Sequence, residues 1–218
     1  MRTTSRRPLV IALYEPRWFM AVLSILRKRN IAFTVFEDEN KLPLYSVLYT
    51  DYQYFVEKAS RRSDILVIYD PMHRCIELER AILATRFKEE YDEIVFGVDP
   101  GSRPSVVVLG DEGLLDYQAL YSVKDVVEYI ADKTQCYPSK KIVVRIGGGF
   151  NGWKIALALK KKLKVRTEVV DEWETTPKNT RLDDILLSSK YLVNLAKHRY
   201  RDLYAALKIA LRRGIEVD

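Results

Sequence analysis

The stretch EIVFGVDPGSRPSVVVL, residues 93–109, decides the fold of the second half of this chain. A run rich in β-branched residues ends at Asp99, Pro100 and Gly101 follow as turn residues, and a second apolar run begins at Ser105. Two such runs joined by a short turn predict a β-hairpin. Asp99 either serves as a turn residue only or is held at the strand end for chemistry.

A third strand and a strand–helix–strand unit are predicted after this hairpin. The strand LLDYQALY, residues 114–121, follows so closely that the three strands should form an antiparallel meander. Helices and strands then alternate, with helices at 122–135 and 153–163, strands at 140–146 and 165–172, and two final helices. This order predicts one mixed sheet with helices on both faces.

Residues 1–91 predict a separate, small Rossmann-like α/β domain with three layers. Short apolar strands alternate there with helices, which favours a mostly parallel sheet. Four acids stand at the predicted strand ends, namely Glu15, Glu37, Asp51 and Asp70. Acids at this edge of a parallel sheet could line a ligand site, but such residues more often cap turns and helices. Nothing in these residues assigns the domain a role.

Three segments beyond residue 91 each place an acid at the end of an element. They are GVDPGSRPSVVVLGDEG (97–113), VVDEWETT (169–176) and RDLYAALKIALRRG (201–214). Through these segments, residues 92–214 resemble the RNase H-like superfamily, in the branch that holds the RuvC junction resolvases and the YqgF-type proteins. The resemblance implies an RNase H-like domain over residues 92–218 and a metal-dependent nuclease.

By this resemblance, Asp99, Glu172 and Asp202 are the catalytic residues and the ligands of Mg²⁺ or Mn²⁺. Phosphodiester hydrolysis by the two-metal route uses hard divalent ions, so carboxylates from several elements must converge on one point. We expect the ends of two parallel strands and the start of a helix to bring these acids together. Three further residues are candidate accessory groups, namely Asp171, Asp184 and His198.

The segment GGGFNG, residues 147–152, supports a competing hypothesis. It follows a predicted strand, opens a predicted helix and fits the pattern G-x-G-x-x-G through Gly147, Gly149 and Gly152. Asp171 follows about 20 residues later, as in a dinucleotide-binding fingerprint. However, such a fingerprint normally occupies the first strand–helix turn of its domain, whereas a meander and a helix precede it here. The nuclease hypothesis is therefore preferred.

The net charge is +6 and the isoelectric point is about 9.1, which favours an anionic partner. The densest basic cluster is KKKLKVR, and we expect its side chains Lys160, Lys161, Lys162, Lys164 and Arg166 to contact nucleic acid phosphates. A DNA junction and a structured RNA are both open as substrates. The resemblance also suggests a homodimer. A third hypothesis is an inactive RNase H-like module that only binds nucleic acid.

Composition excludes several other classes of protein. Cys75 and Cys136 are far apart, with no CxxC pattern and only two histidines in the chain, so a zinc site is not expected. No apolar run is long enough for a membrane span and no signal peptide is recognisable, so we expect a cytoplasmic protein. The high content of charged residues, 30%, hints at a heat-adapted source.

Overall fold

The computed structural model describes residues 6–111, 113–171 and 201–217, without the side chains of Phe150, Arg201 and Asp202. The chain divides into two compact units. The first unit comprises residues 1–91 together with 135–138, and the second comprises residues 92–134 and 139–218.

The first unit is built on a four-stranded sheet in the order β2-β1-β3-β4, with every pair parallel. The strands are β1 (Leu9–Ala12), β2 (Thr34–Val35), β3 (Val47–Thr50) and β4 (Leu66–Tyr69). The helices are α1 (Pro16–Lys28), α2 (Gln53–Ala59) and α3 (Cys75–Ala84), with a short 3-10 helix at Glu39–Lys41. This alternation agrees with the predicted α/β character of the N-terminal half.

Alternate residues of β1 and β3 supply two separate cores, one on each face of the sheet. Leu9 and Ile11 pack with buried residues of α1 and α3, whereas Val10 and Leu48 pack with Ala59 of α2. Successive side chains of a strand point to opposite faces, so a strand that is covered on both faces must be apolar throughout. The continuous burial of LVIA in β1 follows from this arrangement.

Residues 135–138 belong to the first unit through a disulfide and a buried tyrosine. Cys75 and Cys136 form a disulfide with their Cα atoms 5.0 Å apart. The Tyr91 backbone N–H donates to the carbonyl of Pro138 at 2.8 Å, and Arg29 donates to the hydroxyl of the buried Tyr137 at 3.3 Å. The sequence analysis did not predict this disulfide, because the two cysteines match no known spacing pattern.

We predict that reducing this disulfide destabilises the protein. The cysteines are 61 residues apart in sequence, and closing a loop of that size stabilises a folded chain by about 4 kcal/mol through the entropy of the unfolded state. Guanidinium unfolding with and without a dithiol reductant measures this difference. A Cys75→Ser/Cys136→Ser double variant is the control, because reductant should leave its midpoint unchanged. An equal response of both proteins would contradict the prediction.

The second unit is built on a six-stranded mixed sheet in the order β10-β9-β8-β5-β6-β7. Its elements are β5 (Ile94–Asp99), β6 (Ser105–Gly110), β7 (Gly113–Ala119), α4 (Val123–Cys136), β8 (Ile142–Gly147), α5 (Phe150–Lys162), β9 (Arg166–Val170), α6 (Arg201–Leu211) and β10 (Ile215–Glu216). β5, β6 and β7 form an antiparallel meander, and β8 and β9 continue the sheet in parallel with β5. The predicted mixed α/β sheet is therefore confirmed.

Helix α6 packs very closely on the centre of this sheet. A β-carbon at Gly97 would lie 2.2 Å from the carbonyl oxygen of Ala206 and 2.5 Å from the β-carbon of Ala210. Val95, two residues earlier on the same face, packs in one cluster with α6 residues, including Leu203. Only a glycine in β5 and small residues in α6 allow the two backbones to come this close.

We predict that Gly97→Ala destabilises the second unit. The added methyl group meets backbone atoms that cannot rotate away, so α6 must shift, and overpacking of this kind lowers the free energy of unfolding by about 1–3 kcal/mol. Chemical denaturation measures the loss. Gly113→Ala is the matched control, because a β-carbon there meets nothing within 4 Å, and surface changes usually stay within about 0.5 kcal/mol. Equal stability of the two variants would contradict the close approach.

Candidate functional site

Asp99 lies at the carboxyl end of β5, on the same face of the sheet as α6. It is half-buried, and its Oδ1 accepts a hydrogen bond from the Gly101 backbone N–H at 3.1 Å. Val98 is paired with Ile146, which is paired with Val169. One residue further along, Asp99, Gly147 and Val170 lie side by side at the carboxyl ends of β5, β8 and β9. We call this end of the sheet the Asp99 edge. Because Gly147 has no side chain, β8 adds no side chain beside Asp99.

Of the other two predicted metal ligands, Asp202 and Glu172, the structure describes only the backbone of Asp202. Asp202 lies in the first turn of α6, one turn before Ala206, which contacts Gly97 on the face that also carries Asp99. Its side chain lies outside the described part of the structure. Glu172 also lies outside the described residues, as do Asp184 and His198. Their proposed roles therefore stay predictions.

Asp171 directly follows β9 and is exposed. Because side chains alternate along a strand, continuation of the strand direction puts residue 171 on the face opposite to that of Val170 and Asp99. We therefore keep Asp171 as a neighbour of the candidate site and not as a member of the proposed ligand set.

The segment GGGFNG forms a tight connection between β8 and α5. Gly149 has a φ of +90°, a conformation that side-chain-bearing residues rarely adopt. A β-carbon at Gly152 would lie 2.0 Å from the carbonyl oxygen of Gly147, so only glycine lets the first turn of α5 pack on the end of β8. Close packing of the helix on the strand is the role that the third glycine of a dinucleotide fingerprint fulfils. The competing hypothesis thus has local geometric support.

An ion pair between the half-buried Arg145 and the buried Glu168 ties α6 to the strands beside the candidate site. Arg145 donates to Glu168 at 3.0 Å and to the carbonyl of Ala210 at 2.6 Å. Burial raises the pKa of Glu168, but hydrogen bonds from Arg145 and the Gly214 N–H, together with the nearby positive charges, outweigh that effect and lower the pKa. The carboxylate therefore stays ionised at neutral pH and helps to fix α6 on the sheet. The sequence analysis missed this network, since neither residue belongs to a motif.

The predicted basic cluster lies at the other end of the strands from Asp99, near the start of β9. Lys160, Lys161 and Lys162 form the last turn of α5, which begins beside the Asp99 edge and runs back along the sheet. They and Lys164 are exposed and make no ion pair with any described residue. Arg166 differs from them, because it pairs with Glu168 at 2.9 Å and with Glu216 at 3.3 Å.

In the first unit, strand-end acids act as structural caps. Asp51 accepts hydrogen bonds from the backbone N–H groups of Tyr14 and Glu15, at 2.7 and 3.0 Å, and contacts His73 at 3.1 Å. Asp70 is fully buried, where it accepts from the Tyr49 hydroxyl at 2.6 Å and from a backbone N–H at 2.9 Å.

Glu15 and Glu37, the two remaining strand-end acids, are also engaged. Glu15 caps α1 by accepting from the Trp18 backbone N–H. Glu37 forms an exposed ion pair with Lys41 at 2.6 Å. Each of the four acids therefore has a partner within the unit, which favours the capping interpretation over a ligand site.

The described side chains contain no preformed metal centre. No group of three or more His, Cys, Asp or Glu among these described side chains is placed to hold a metal ion. The side chains of Glu172 and Asp202 are not among them. None of the described helices is long and apolar enough to cross a membrane.

Comparison with known proteins gives only distant structural similarity. No protein family matches the sequence, and no curated protein does. Among solved structures, the chain is similar to Marinitoga piezophila Argonaute in complex with a 5′ OH guide RNA, at 10% identity and a TM-score of 0.27. It is also similar to A. aeolicus Argonaute, at 12% identity and a TM-score of 0.26. The matches cover 77% and 78% of this chain but only 40% and 35% of those proteins.

Proposed function

We propose that this protein is a Mg²⁺- or Mn²⁺-dependent nuclease that cleaves structured nucleic acid, either junction DNA or structured RNA, and that its second unit has the RNase H-like fold. The observation that carries the proposal is the position of Asp99. It ends β5, a central strand with the antiparallel strands β6 and β7 on one side and the parallel strands β8 and β9 on the other. That is the strand order on which RNase H-like nucleases hold their first acid, by the resemblance described above.

The chemistry of the proposed ligands fits a hard divalent ion. Asp99, Glu172 and Asp202 offer carboxylate oxygens, which Mg²⁺ and Mn²⁺ prefer. Gly147 contributes no side chain beside Asp99. Bound ions would activate water and stabilise the leaving oxygen. The close contact of α6 with Gly97 and the ion pair of Arg145 and Glu168 hold α6, the helix that carries Asp202, on the face of Asp99.

We expect Asp99→Asn to abolish cleavage while leaving nucleic acid binding intact. Loss of a ligand's outer-shell partner typically lowers metal affinity or activity by about 10- to 100-fold, so loss of the ligand itself should exceed roughly a hundredfold. Cleavage of a labelled four-way junction and of a structured RNA, with Mg²⁺ or Mn²⁺, measures this effect. Glu128→Gln removes an exposed charge elsewhere and is the control.

Two outcomes would contradict the nuclease proposal. Cleavage by Asp99→Asn at the wild-type rate would show that this acid is not a ligand. Salt-sensitive binding without cleavage by the wild-type protein, under both metals and on both substrates, would instead favour the inactive nucleic-acid-binding module.

A second candidate function is nucleotide or dinucleotide binding at the GGGFNG loop. The left-handed conformation of Gly149 and the close packing of Gly152 on Gly147 favour it. Against it, β10 adds to β9 in the antiparallel direction, whereas a mononucleotide-binding half would continue with a parallel strand. The nuclease therefore remains the preferred proposal.

Thermal unfolding with millimolar NAD, NADP or ATP tests this second function. A ligand present at about 100 times its dissociation constant adds about 2.7 kcal/mol to the free energy of unfolding and raises the melting temperature by several degrees. Asp171→Ala should then reduce the shift, because the fingerprint acid binds the ribose. A melting temperature that none of the three nucleotides changes would exclude the function at these concentrations.

A further inference from the structure

The outward face of α5 carries an aromatic and aliphatic stripe that continues into the lysine cluster. Trp153 is 49% exposed and Leu157 is 55% exposed, and residues four apart are neighbours on one helix face. Lys160 and Lys161 follow on the same side of the helix, and Lys164 is exposed in the segment directly after it. The face of α5 that packs on the sheet is instead formed by Gly152, Ile155, Ala156 and Leu159, all buried.

This stripe has one sign of charge along its whole length. Its basic residues are Lys160, Lys161 and Lys164, and no Asp or Glu occurs between residues 142 and 167. Lysines in the last turn do complement the negative end of the helix dipole, but that effect does not explain an exposed tryptophan and leucine in line with them.

An uninterrupted row of ammonium groups beside an exposed indole matches the chemistry of a single nucleic acid strand. Proteins that bind single strands combine positive charge along the backbone with aromatic side chains on which bases stack. From Trp153 to Lys161 the helix axis advances about 12 Å, at 1.5 Å per residue. The lysines can therefore follow consecutive phosphates while the indole stacks on a base at one end.

We infer that α5 binds a single-stranded segment of DNA or RNA, with phosphates on Lys160, Lys161 and Lys164 and a base stacked on Trp153. Single-strand binding is inferred only from the residues of α5 and from Lys164. That the bound strand is also the substrate for cleavage rests on the proposed nuclease function. Trp153 lies in the first turn of α5, and Asn151, two residues earlier in the same turn, donates to the carbonyl of Pro100, beside Asp99, at 3.5 Å. A strand that continues past Trp153 beyond the N-terminus of α5 would meet the Asp99 edge at Gly147, Gly148 and Gly149, which have no side chains.

Fluorescence anisotropy with the full chain tests the inference. The probe is a labelled oligothymidylate or oligouridylate of about 16 nucleotides, the upper end of known site sizes, in buffer without divalent ions so that no cleavage occurs. Trp153→Ala should weaken binding by roughly fivefold to a hundredfold, as for other stacked bases. Trp153→Tyr should restore most of the affinity, because it keeps an aromatic face.

The lysines are tested through the salt dependence of the same binding. Changing Lys160, Lys161 and Lys164 to Ala should reduce the slope of log K against log salt by about 2, since each phosphate contact on a single strand contributes about 0.7. The matched control changes Lys124, Lys140 and Lys141 to Ala, which removes the same charge from lysines paired with exposed acids. A duplex of equal length, tested in parallel, should bind without dependence on Trp153.

The outcomes separate this inference from the nuclease proposal. Equal losses in the α5 and control triple variants, an unchanged affinity in Trp153→Ala, or no binding of single strands by the wild type would overturn the single-strand site. Cleavage that depends on Asp99 would still support the nuclease. Selective loss of binding in the α5 variants, together with no cleavage by the wild type, would support the single-strand site and contradict the nuclease.

Discussion

The close approach of α6 to β5 is the constraint on which the second unit depends. At Gly97 the helix backbone occupies the space of a missing side chain, and this contact fixes α6 across the face that carries Asp99. Arg145 and Glu168 reinforce the same arrangement from the neighbouring strands, because Arg145 also binds the last turn of α6. The position of a candidate acid therefore depends on a residue that has no functional group at all.

Acids at strand ends have different uses in the two units. In the first unit the side chains of Asp51 and Asp70 are almost fully buried. Their carboxylate oxygens accept hydrogen bonds from backbone N–H groups and a tyrosine hydroxyl and contact a histidine. Their role is to hold the loops that follow the strands. Asp99 is half-buried at an edge where β8 contributes only a glycine. Chain position alone does not distinguish these cases, since all three acids directly follow or end an apolar strand.

The glycines of GGGFNG illustrate how one local geometry can fit two functions. Gly149 and Gly152 are required by the sharp passage from β8 into α5, whatever that passage serves. In a nucleotide-binding protein the same turn would receive phosphates on backbone N–H groups. In the nuclease proposal the glycines of this turn place no side chains in the way of a nucleic acid strand that runs from α5 to Asp99. The antiparallel direction of β10 favours the nuclease over the nucleotide-binding function.

The sequence by itself determined the order of elements: the hairpin after Asp99, the meander, the parallel strands and the helices between them. Those features follow from local chemistry, namely β-branched runs, turn residues and apolar periodicity. Only the tertiary structure decided which distant residues meet. The disulfide joins cysteines 61 residues apart, Arg145 reaches Ala210, and the contact of α6 with Gly97 crosses more than a hundred residues of chain. Such contacts depend on how packed surfaces fit together, and no local pattern in the sequence encodes that fit.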